Sequence, residues 1–257
     1  MKLLASDFDN TLYFSPEDPH FHPQDLKAIK RFQETGNVFG ICTGRDFDSI
    51  HILTKDFLDF DFYILDNGSV ILNHERQVIA QFDLDLTTVR QVLTHFNQLE
   101  SMVVTNNRIY AYHNTRQWKS DQITLITEPA EITEATAHRV SFHLETEAQA
   151  QAVTNELNGL GLPIRGFQNG TEIDCVNWQT SKGHALKIIQ DYYGLADRNV
   201  ACIGDSYNDL PMLDVCANGF TFKGSPQIVR DHAKYMVASL YQAIDQLTAK
   251  KAAQAAI

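Results

Sequence analysis

Several features that would assign this sequence of 257 residues to a common class of protein are missing from it. Its four cysteines show no CxxC spacing, which argues against a zinc site or a disulfide framework, so we expect reduced thiols. Lysine and arginine form no run longer than Lys250-Lys251. Together with the net charge of -11, this argues against a nucleic-acid backbone or an anionic membrane surface as the partner.

Long hydrophobic runs are absent as well. No apolar stretch approaches the length of a membrane-spanning helix. The first charged residue after Lys2 is Asp7, which leaves no room for the apolar region of a signal peptide. We therefore expect a soluble chain in the cytoplasm, with no membrane partner. The sequence also shows no internal repeat and no low-complexity linker.

The chain has enough apolar residues for a sizeable core, since 44% of them are hydrophobic. At this length, chains begin to divide into two domains, so one large domain and two smaller domains are both possible. The net negative charge of the chain affects how it can bind an anionic ligand. An anionic substrate such as a phosphate ester would need a local cation to offset the charge of the protein, which favours a divalent metal.

Short apolar runs alternate with helical patterns in the first part of the chain. The runs occupy residues 2–6, 38–42 and 62–65, and apolar residues at helical spacing follow the first two. The same pattern resumes late in the chain, with a helix capped by Ser181 and an apolar run over residues 199–203. Near-continuous apolar strands that alternate with helices predict an α/β fold, a doubly wound parallel sheet of Rossmann-like type.

The middle of the chain has a different pattern. Helices are predicted over residues 87–99 and 147–157, and hairpins around Asn106-Asn107 and Asn169-Gly170. This mixture predicts an inserted α+β domain over residues 78–178. The parallel domain would then be discontinuous, formed by residues 1–77 and 179–257.

The first apolar run ends in two carboxylates one residue apart, Asp7 and Asp9. Side chains alternate along a strand, so both would face one pocket if the strand geometry persists. Two adjacent carboxylates repel unless a cation lies between them or their protonation states differ. A polar turn that caps local backbone amides would also account for this pair.

Polar residues follow two further apolar runs. Thr43 follows the second run, and Asp205, Asn208 and Asp209 follow a late one. In an open parallel sheet, ligands bind beyond the carboxyl ends of the strands, so these side chains are expected at one edge. Turn chemistry explains any one of these positions but explains their coincidence poorly.

Four segments in this order resemble the motifs of the haloacid dehalogenase superfamily of phosphohydrolases, and within it the Cof-like sugar-phosphate phosphatases. The segments are Asp7-Phe8-Asp9-Asn10-Thr11-Leu12, Thr43-Gly44-Arg45, Lys182-Gly183, and residues 204–213 from Gly204-Asp205 to Met212-Leu213. The insert falls between the second and third motifs, where this group has its class 2 cap. Asn10 departs from the group's usual glycine, and because asparagine tolerates unusual dihedrals we expect the turn to be kept.

The resemblance implies a role for each carboxylate of the first motif. Asp7 would be the nucleophile that attacks phosphorus and forms an aspartyl phosphate. Asp9 would be the general acid for the leaving oxygen and then the general base for water. Mg2+ would be bound by Asp7, by the backbone carbonyl of Asp9 and by Asp205.

The remaining motifs imply the residues that bind the phosphoryl group. Thr43 and Lys182 would be catalytic groups that contact its oxygens, and Gly44, Arg45 and Asn208 would complete the substrate site, with Asp209 in support. Arg45 could instead tie its own loop through Asp46 or Asp48, an alternative that is as well supported as substrate contact. Asn67-Gly68 resembles a loop that the family places near its site, but an ordinary turn is the interpretation we favour.

The function implied is a Mg2+-dependent phosphomonoesterase of small phosphorylated metabolites, with sugar phosphates as the expected substrates. Phosphoryl transfer to a second hydroxyl, as in a mutase, is the neighbouring alternative. A phospho-acceptor module without turnover is the alternative from another class, and Asp9 counts against it because a general base shortens the life of the intermediate.

Overall fold

The computed structural model describes residues 1–113 and 123–254. The chain forms two compact units. The core unit consists of Met1–Ala80 together with the chain from Ser181 onward, and the insert unit is Gln81–Thr180.

Helices and strands alternate along the core unit, and strands dominate the insert unit. In chain order the elements are β1 (Leu3–Ser6), α1 (Pro23–Glu34), β2 (Val38–Cys42), α2 (Phe47–Thr54), β3 (Phe62–Leu65), β4 (Val70–Asn73), β5 (Val78–Gln81), β6 (Leu84–Asp85), α3 (Leu86–His95), β7 (Ser101–Val104), β8 (Ile109–Tyr112), β9 (Ile123–Ile126), β10 (Thr136–Ala137), β11 (Arg139–His143), α4 (Glu147–Asn158), β12 (Ile164–Asn169), β13 (Glu172–Asn177), α5 (Lys182–Tyr192), β14 (Val200–Ile203), α6 (Leu210–Val215), β15 (Asn218–Phe222), α7 (Gln227–His232), β16 (Tyr235–Val237) and α8 (Leu240–Gln254).

The core unit contains the predicted parallel sheet. Its strand order is β16-β15-β14-β1-β2-β3-β4-β5, and each pair from β16 to β3 is parallel. The chain runs from β1 towards β3 on one side and returns to β14 on the other, so the topological switch point lies between β1 and β14. Open α/β sheets bind ligands at such a point, beyond the carboxyl ends of the strands.

Burial of the central strands explains why they are almost continuously apolar. Every residue of β1, β2, β3 and β14 is buried, as expected for a parallel sheet that is covered on both faces. Helix α1 begins at Pro23 and buries Ala28, Ile29 and Phe32 against the core cluster. Gly36 follows this helix with φ of +77°, a conformation that glycine adopts without strain.

The edge of the core sheet contains two strands that were not predicted. Strand β4 is antiparallel to β3, and β5 lies beyond it at the edge of the sheet. Val78 was expected in the insert from the sequence, whereas it begins this edge strand of the core sheet. Its exposure of 57% explains why no apolar pattern marked it as core.

The insert unit is a mainly antiparallel sheet with helices, as the hairpin pattern predicted. Its main sheet has the order β12-β13-β11-β7-β8-β9, and β7-β8 and β12-β13 are the two predicted hairpins. Strand β9 pairs parallel with β8 and was not predicted. The core of this unit includes Val89 and Val92 of α3, Leu157 of α4, and Phe142 of β11.

The cysteines are free thiols, as expected. Cys42, Cys175 and Cys202 are buried and Cys216 is partly exposed. Burial raises the pKa of Cys42 and Cys175, so both remain protonated at neutral pH. Within residues 1–113 and 123–254, no helix combines the length and the apolar character that a membrane span requires.

Candidate active site

Three strands of the core sheet deliver polar side chains to its carboxyl edge. Asp7 follows β1, Thr43 follows β2 and Asp205 lies two residues after β14. The amide of Asp7 donates to the carbonyl of Ile203 at 2.9 Å, which holds the first loop against β14. The amide of Thr43 donates to Ile64 at 2.9 Å and fixes the second loop to β3 in the same way.

Lys182 lies in the middle of this edge and is fully buried. Its Nζ donates to Oδ1 of Asp7 and to Oδ1 of Asp209, each at 2.6 Å. Lys182 is the first residue of α5, which the Ser181 hydroxyl caps by accepting from the His184 amide at 3.1 Å. A first-turn lysine is usually solvated, but this one is 1% exposed and joins two carboxylates.

Asp209 ties the last loop of the site together. Its Oδ2 accepts from the amides of Asp205 and Ser206, each at 2.9 Å, while its Oδ1 is bonded to Lys182. A Cβ at Gly204 would lie 2.4 Å from Cγ of Asp209, so only glycine allows this approach. Asp209 therefore orients both the lysine and the backbone that carries Asp205.

Asp7, Asp205 and Asp209 form a carboxylate cluster, in which ligand oxygens of all three lie within 4.8 Å of one another. When all three carboxylates are ionised, Lys182 compensates one of their negative charges. The other two negative charges remain uncompensated. Burial raises the pKa of Asp7 well above its usual range and Asp209 raises it further, although Lys182 lowers it. Burial and Asp209 likewise raise the pKa of Asp205 to about 6.

The donor set of the carboxylate cluster fits a hard divalent cation. Carboxylate oxygens are the ligands that Mg2+ prefers, and a doubly charged ion would balance the cluster. Lys182 engages Oδ1 of Asp7, and the Thr11 hydroxyl donates to Oδ1 of Asp205 at 2.9 Å. The second oxygen of each of these carboxylates is therefore the candidate ligand.

The side chain of Asp9 has a different environment from that of Asp7. Arg45 binds it through two hydrogen bonds, from Nε to Oδ2 at 2.8 Å and from Nη2 to Oδ1 at 2.7 Å. The guanidinium lies 5.4 Å from the ring centroid of Phe8 and 5.7 Å from that of Tyr13. The hydrogen bond with Asp9 raises the pKa of Arg45.

Asp9, which binds the Arg45 side chain, is neither Asp46 nor Asp48, the two carboxylates that the sequence suggested as its partners. Asp46 instead caps α2 by accepting from the Ser49 amide at 2.9 Å. The loop is also held internally, because the Thr43 hydroxyl oxygen accepts from the Arg45 amide at 3.1 Å. That bond leaves the hydroxyl proton of Thr43 to be donated outward, and partly exposed Gly44 lies between the two residues.

Asn67 belongs to the site, although an ordinary turn was the interpretation favoured from the sequence. Its Oδ1 accepts from Nδ2 of Asn208 at 3.2 Å, and its amide donates to the Thr43 carbonyl at 3.0 Å. Asp66, Asn67 and Gly68 have φ values of 48°, 55° and 102° in succession. Consecutive left-handed residues are costly outside glycine and mark constrained functional segments, so the sequence Asp-Asn-Gly directly after a buried strand was the available signal.

The first motif contains another contact that was not predicted, the bond from Thr11 to Asp205 described above. Asn10 has φ of 59°, and its amide donates to the carbonyl of Tyr13 at 2.8 Å. The expected turn is thus kept with asparagine in place of glycine.

Replacing Gly68 by alanine is expected to destabilise the protein strongly. Its φ is +102°, and a Cβ would lie 2.6 Å from the carbonyl oxygen of Ser181, the residue that caps the helix of Lys182. We expect a loss of about 1–3 kcal/mol from the free energy of unfolding in urea. Gly36→Ala is the matched control, because its φ is +77° with nothing within 4 Å. Equal losses in the two variants would contradict the close contact with Ser181.

Comparison with known proteins agrees with this geometry. Residues 4–243 match the family model described as haloacid dehalogenase-like hydrolase. A 5-amino-6-(5-phospho-D-ribitylamino)uracil phosphatase of Bacillus subtilis is 26% identical over 92% of this chain and 89% of the relative. A haloacid dehalogenase-like hydrolase from B. subtilis superposes with a TM-score of 0.83 at 18% identity, over 96% of this chain and 99% of the other. A subclass IIB sugar phosphatase of the superfamily superposes with a TM-score of 0.76 at 19% identity, over 98% of each chain.

Proposed function

The chain belongs to the haloacid dehalogenase-like hydrolases, and we propose that it is a Mg2+-dependent phosphatase that hydrolyses small phosphate monoesters through an aspartyl phosphate. That it is an enzyme of the phosphatase type follows from its family and from the relatives named phosphatases. The metal, the intermediate and the substrate class are the parts that we propose. The similarity in fold to a sugar phosphatase supports sugar phosphates as the first substrates to test.

One observation carries the proposal: a buried lysine holds a nucleophile candidate inside an acidic cluster. Lys182 donates to Oδ1 of Asp7 and so fixes the orientation of the carboxylate that would attack phosphorus. The ammonium group would also stabilise negative charge that develops on the phosphoryl oxygens. A structural ion pair alone would not require a third carboxylate, Asp205, at the same place.

The reaction follows from these positions in two displacements. An oxygen of Asp7 attacks phosphorus while the bond to the leaving oxygen breaks, and Asp9 gives a proton to that oxygen. Water then attacks the phosphorus, Asp9 accepts its proton, the bond to Asp7 breaks and inorganic phosphate leaves. The Thr43 hydroxyl would donate to a phosphoryl oxygen in both steps.

Arg45 has a part in this cycle because it occupies both oxygens of Asp9. Asp9 can exchange a proton with substrate or water only when Arg45 releases one of these oxygens. We therefore propose that the incoming phosphate monoester attracts Arg45 away from Asp9, and that Asp9 then takes up from water the proton that it gives to the leaving oxygen. Asn208 and Asn67 would bind the remaining phosphoryl oxygens or support the residues that do.

Mg2+ would be held by Asp7, by the backbone carbonyl of Asp9 and by Asp205, and it would supply charge neutralisation for the phosphoryl group. Asp209, whose oxygens are bonded to Lys182 and to two amides, would orient this site. The insert unit would be the cap that opens and closes around the substrate.

Release of inorganic phosphate from p-nitrophenyl phosphate and from a panel of sugar phosphates tests this function directly. We expect turnover with Mg2+, loss of at least about a hundredfold in EDTA, and recovery when Mg2+ is returned. Asp205→Asn should raise the Mg2+ concentration needed for half-maximal rate. Full activity in EDTA would contradict the metal, and phosphate retained in organic products would indicate a mutase.

A further inference from the structure

The core unit contains a side cavity of about 340 Å³ next to the carboxylate cluster. The reaction steps described above assign no role to this cavity. We name it the side cavity. Its lining includes Phe14, His22, Phe222, Ser225 and Ser239, and it reaches the site through Asn10 and Asp205. Its volume is that of a pocket for a small molecule.

Three of the ten residues that line the side cavity carry aromatic rings. The rings of Phe14 and His22 are stacked, with centroids 4.3 Å apart and planes 12° apart. Phe222, at the end of β15, contributes a third ring to the lining. Stacked and partly exposed aromatic faces favour contact with another flat ring, because such contacts bury area with little loss of side-chain entropy.

Two serine hydroxyls provide polar groups in this aromatic lining. Ser225 is 5% exposed, and because the Thr221 hydroxyl donates its one proton to the Gly204 carbonyl at 2.7 Å, the Ser225 hydroxyl donates to the Thr221 oxygen at 2.9 Å. The Ser225 oxygen can still accept a hydrogen bond from a ligand. The Ser239 hydroxyl oxygen is buried and has no hydrogen-bond partner among the described residues. A buried hydroxyl without a partner costs free energy, so a ligand that bonds to it gains affinity.

The charges around the side cavity exclude an anion as its occupant. Asp205 lines it, and His22 lies 3.5 Å from Asp25 and 3.4 Å from Glu17. The lining that the structure describes contains no lysine or arginine. Because Lys182 lies beside Asp7, whereas Asp205 lines the cavity, a phosphate group would bind at Asp7 and an uncharged group in the cavity.

We propose that the side cavity binds the uncharged part of the substrate and that this part contains a flat ring with a hydrogen-bonding edge. The assignment rests on the proposed phosphatase function, whose substrate it narrows to phosphate monoesters of ring-bearing alcohols. Phe14, His22 and Phe222 contact the ring, and Ser225 and Ser239 bond to its edge. Asn10 and Asp205 mark the side from which the phosphoryl group enters the site.

Equilibrium binding of two non-hydrolysable probes tests the proposal without requiring turnover. Benzylphosphonate and ethylphosphonate carry the same anionic head, and only the first has a ring. By calorimetry with Mg2+ present, we expect benzylphosphonate to bind wild type about tenfold more tightly, from the apolar area that the ring buries. Gly224→Leu should remove this preference, because Gly224 lines the cavity and a Cβ there meets nothing within 4 Å.

Lys223→Leu is the matched control, since it adds the same side chain to the neighbouring exposed residue outside the lining. Ala238→Leu, at an exposed lining position, is a second filling variant in case Gly224→Leu does not fold. Equal affinity of wild type for the two probes, or a preference that both filling variants keep, would overturn the proposal. Loss of p-nitrophenyl phosphate turnover in Asp7→Asn is measured separately, so failure of the cavity and failure of the phosphatase function are distinguishable.

Discussion

Replacing Asp7 by asparagine is expected to lower kcat for p-nitrophenyl phosphate by at least about a thousandfold while the protein stays folded. The amide keeps the shape of the side chain but removes the nucleophilic oxygen. It also removes one of three close negative charges, and Lys182 keeps its 2.6 Å bond to Asp209. Steady-state kinetics together with thermal unfolding separates the loss of chemistry from a loss of structure.

The control for this variant is Asp56→Asn, the same change at an exposed position of the core unit. It should leave both kcat and the unfolding temperature unchanged. After an acid quench during turnover, wild type should retain phosphate bound covalently to the protein and Asp7→Asn should not. Turnover near the wild-type rate in Asp7→Asn would reject the aspartyl-phosphate mechanism.

The carboxylates of the site could be predicted because their positions are encoded locally. Asp7 and Asp205 follow buried apolar strands within two residues, and parallel strands bring their carboxyl ends to one edge of the sheet. No long-range information is needed for that step. The parallel core and the two hairpins of the insert unit were predicted for the same reason, since each depends on the period of a short segment.

Contacts between loops could not be predicted in this way. Arg45 and Asp9 are 36 residues apart, and their pairing depends on how two loops after neighbouring strands are placed. A long arginine side chain has several acidic neighbours within reach, and sequence distance favoured Asp46 or Asp48, of which Asp46 caps a helix instead. The left-handed run at Asp66–Gly68 was missed because its backbone is held by Thr43 and Arg45 of another loop.

Lys182→Met is expected to be the most destabilising single change at the site. The ammonium group is fully buried and bridges Asp7 and Asp209, so its removal leaves two buried carboxylates without their cation. Losing one partner of a buried ion pair costs about 3–5 kcal/mol. Burial alone would lower the pKa of Lys182, but Asp209 and Asp7 raise it, so Lys182 carries its charge at neutral pH.

Lys187→Met provides the matched control because it lies on the same helix and pairs with Asp197 at the surface, at 3.1 Å. Exposed pairs of this kind contribute about 1 kcal/mol or less, so urea unfolding should separate the two variants clearly. Adding Asp209→Asn to Lys182→Met should recover part of the lost stability, since it neutralises one of the uncompensated carboxylates. The double variant should nevertheless remain inactive, because nothing then orients Asp7 or offsets charge on the phosphoryl group. Equal stability of Lys182→Met and Lys187→Met would mean that the lysine does not compensate the cluster, and the charge argument for a divalent cation would lose its basis.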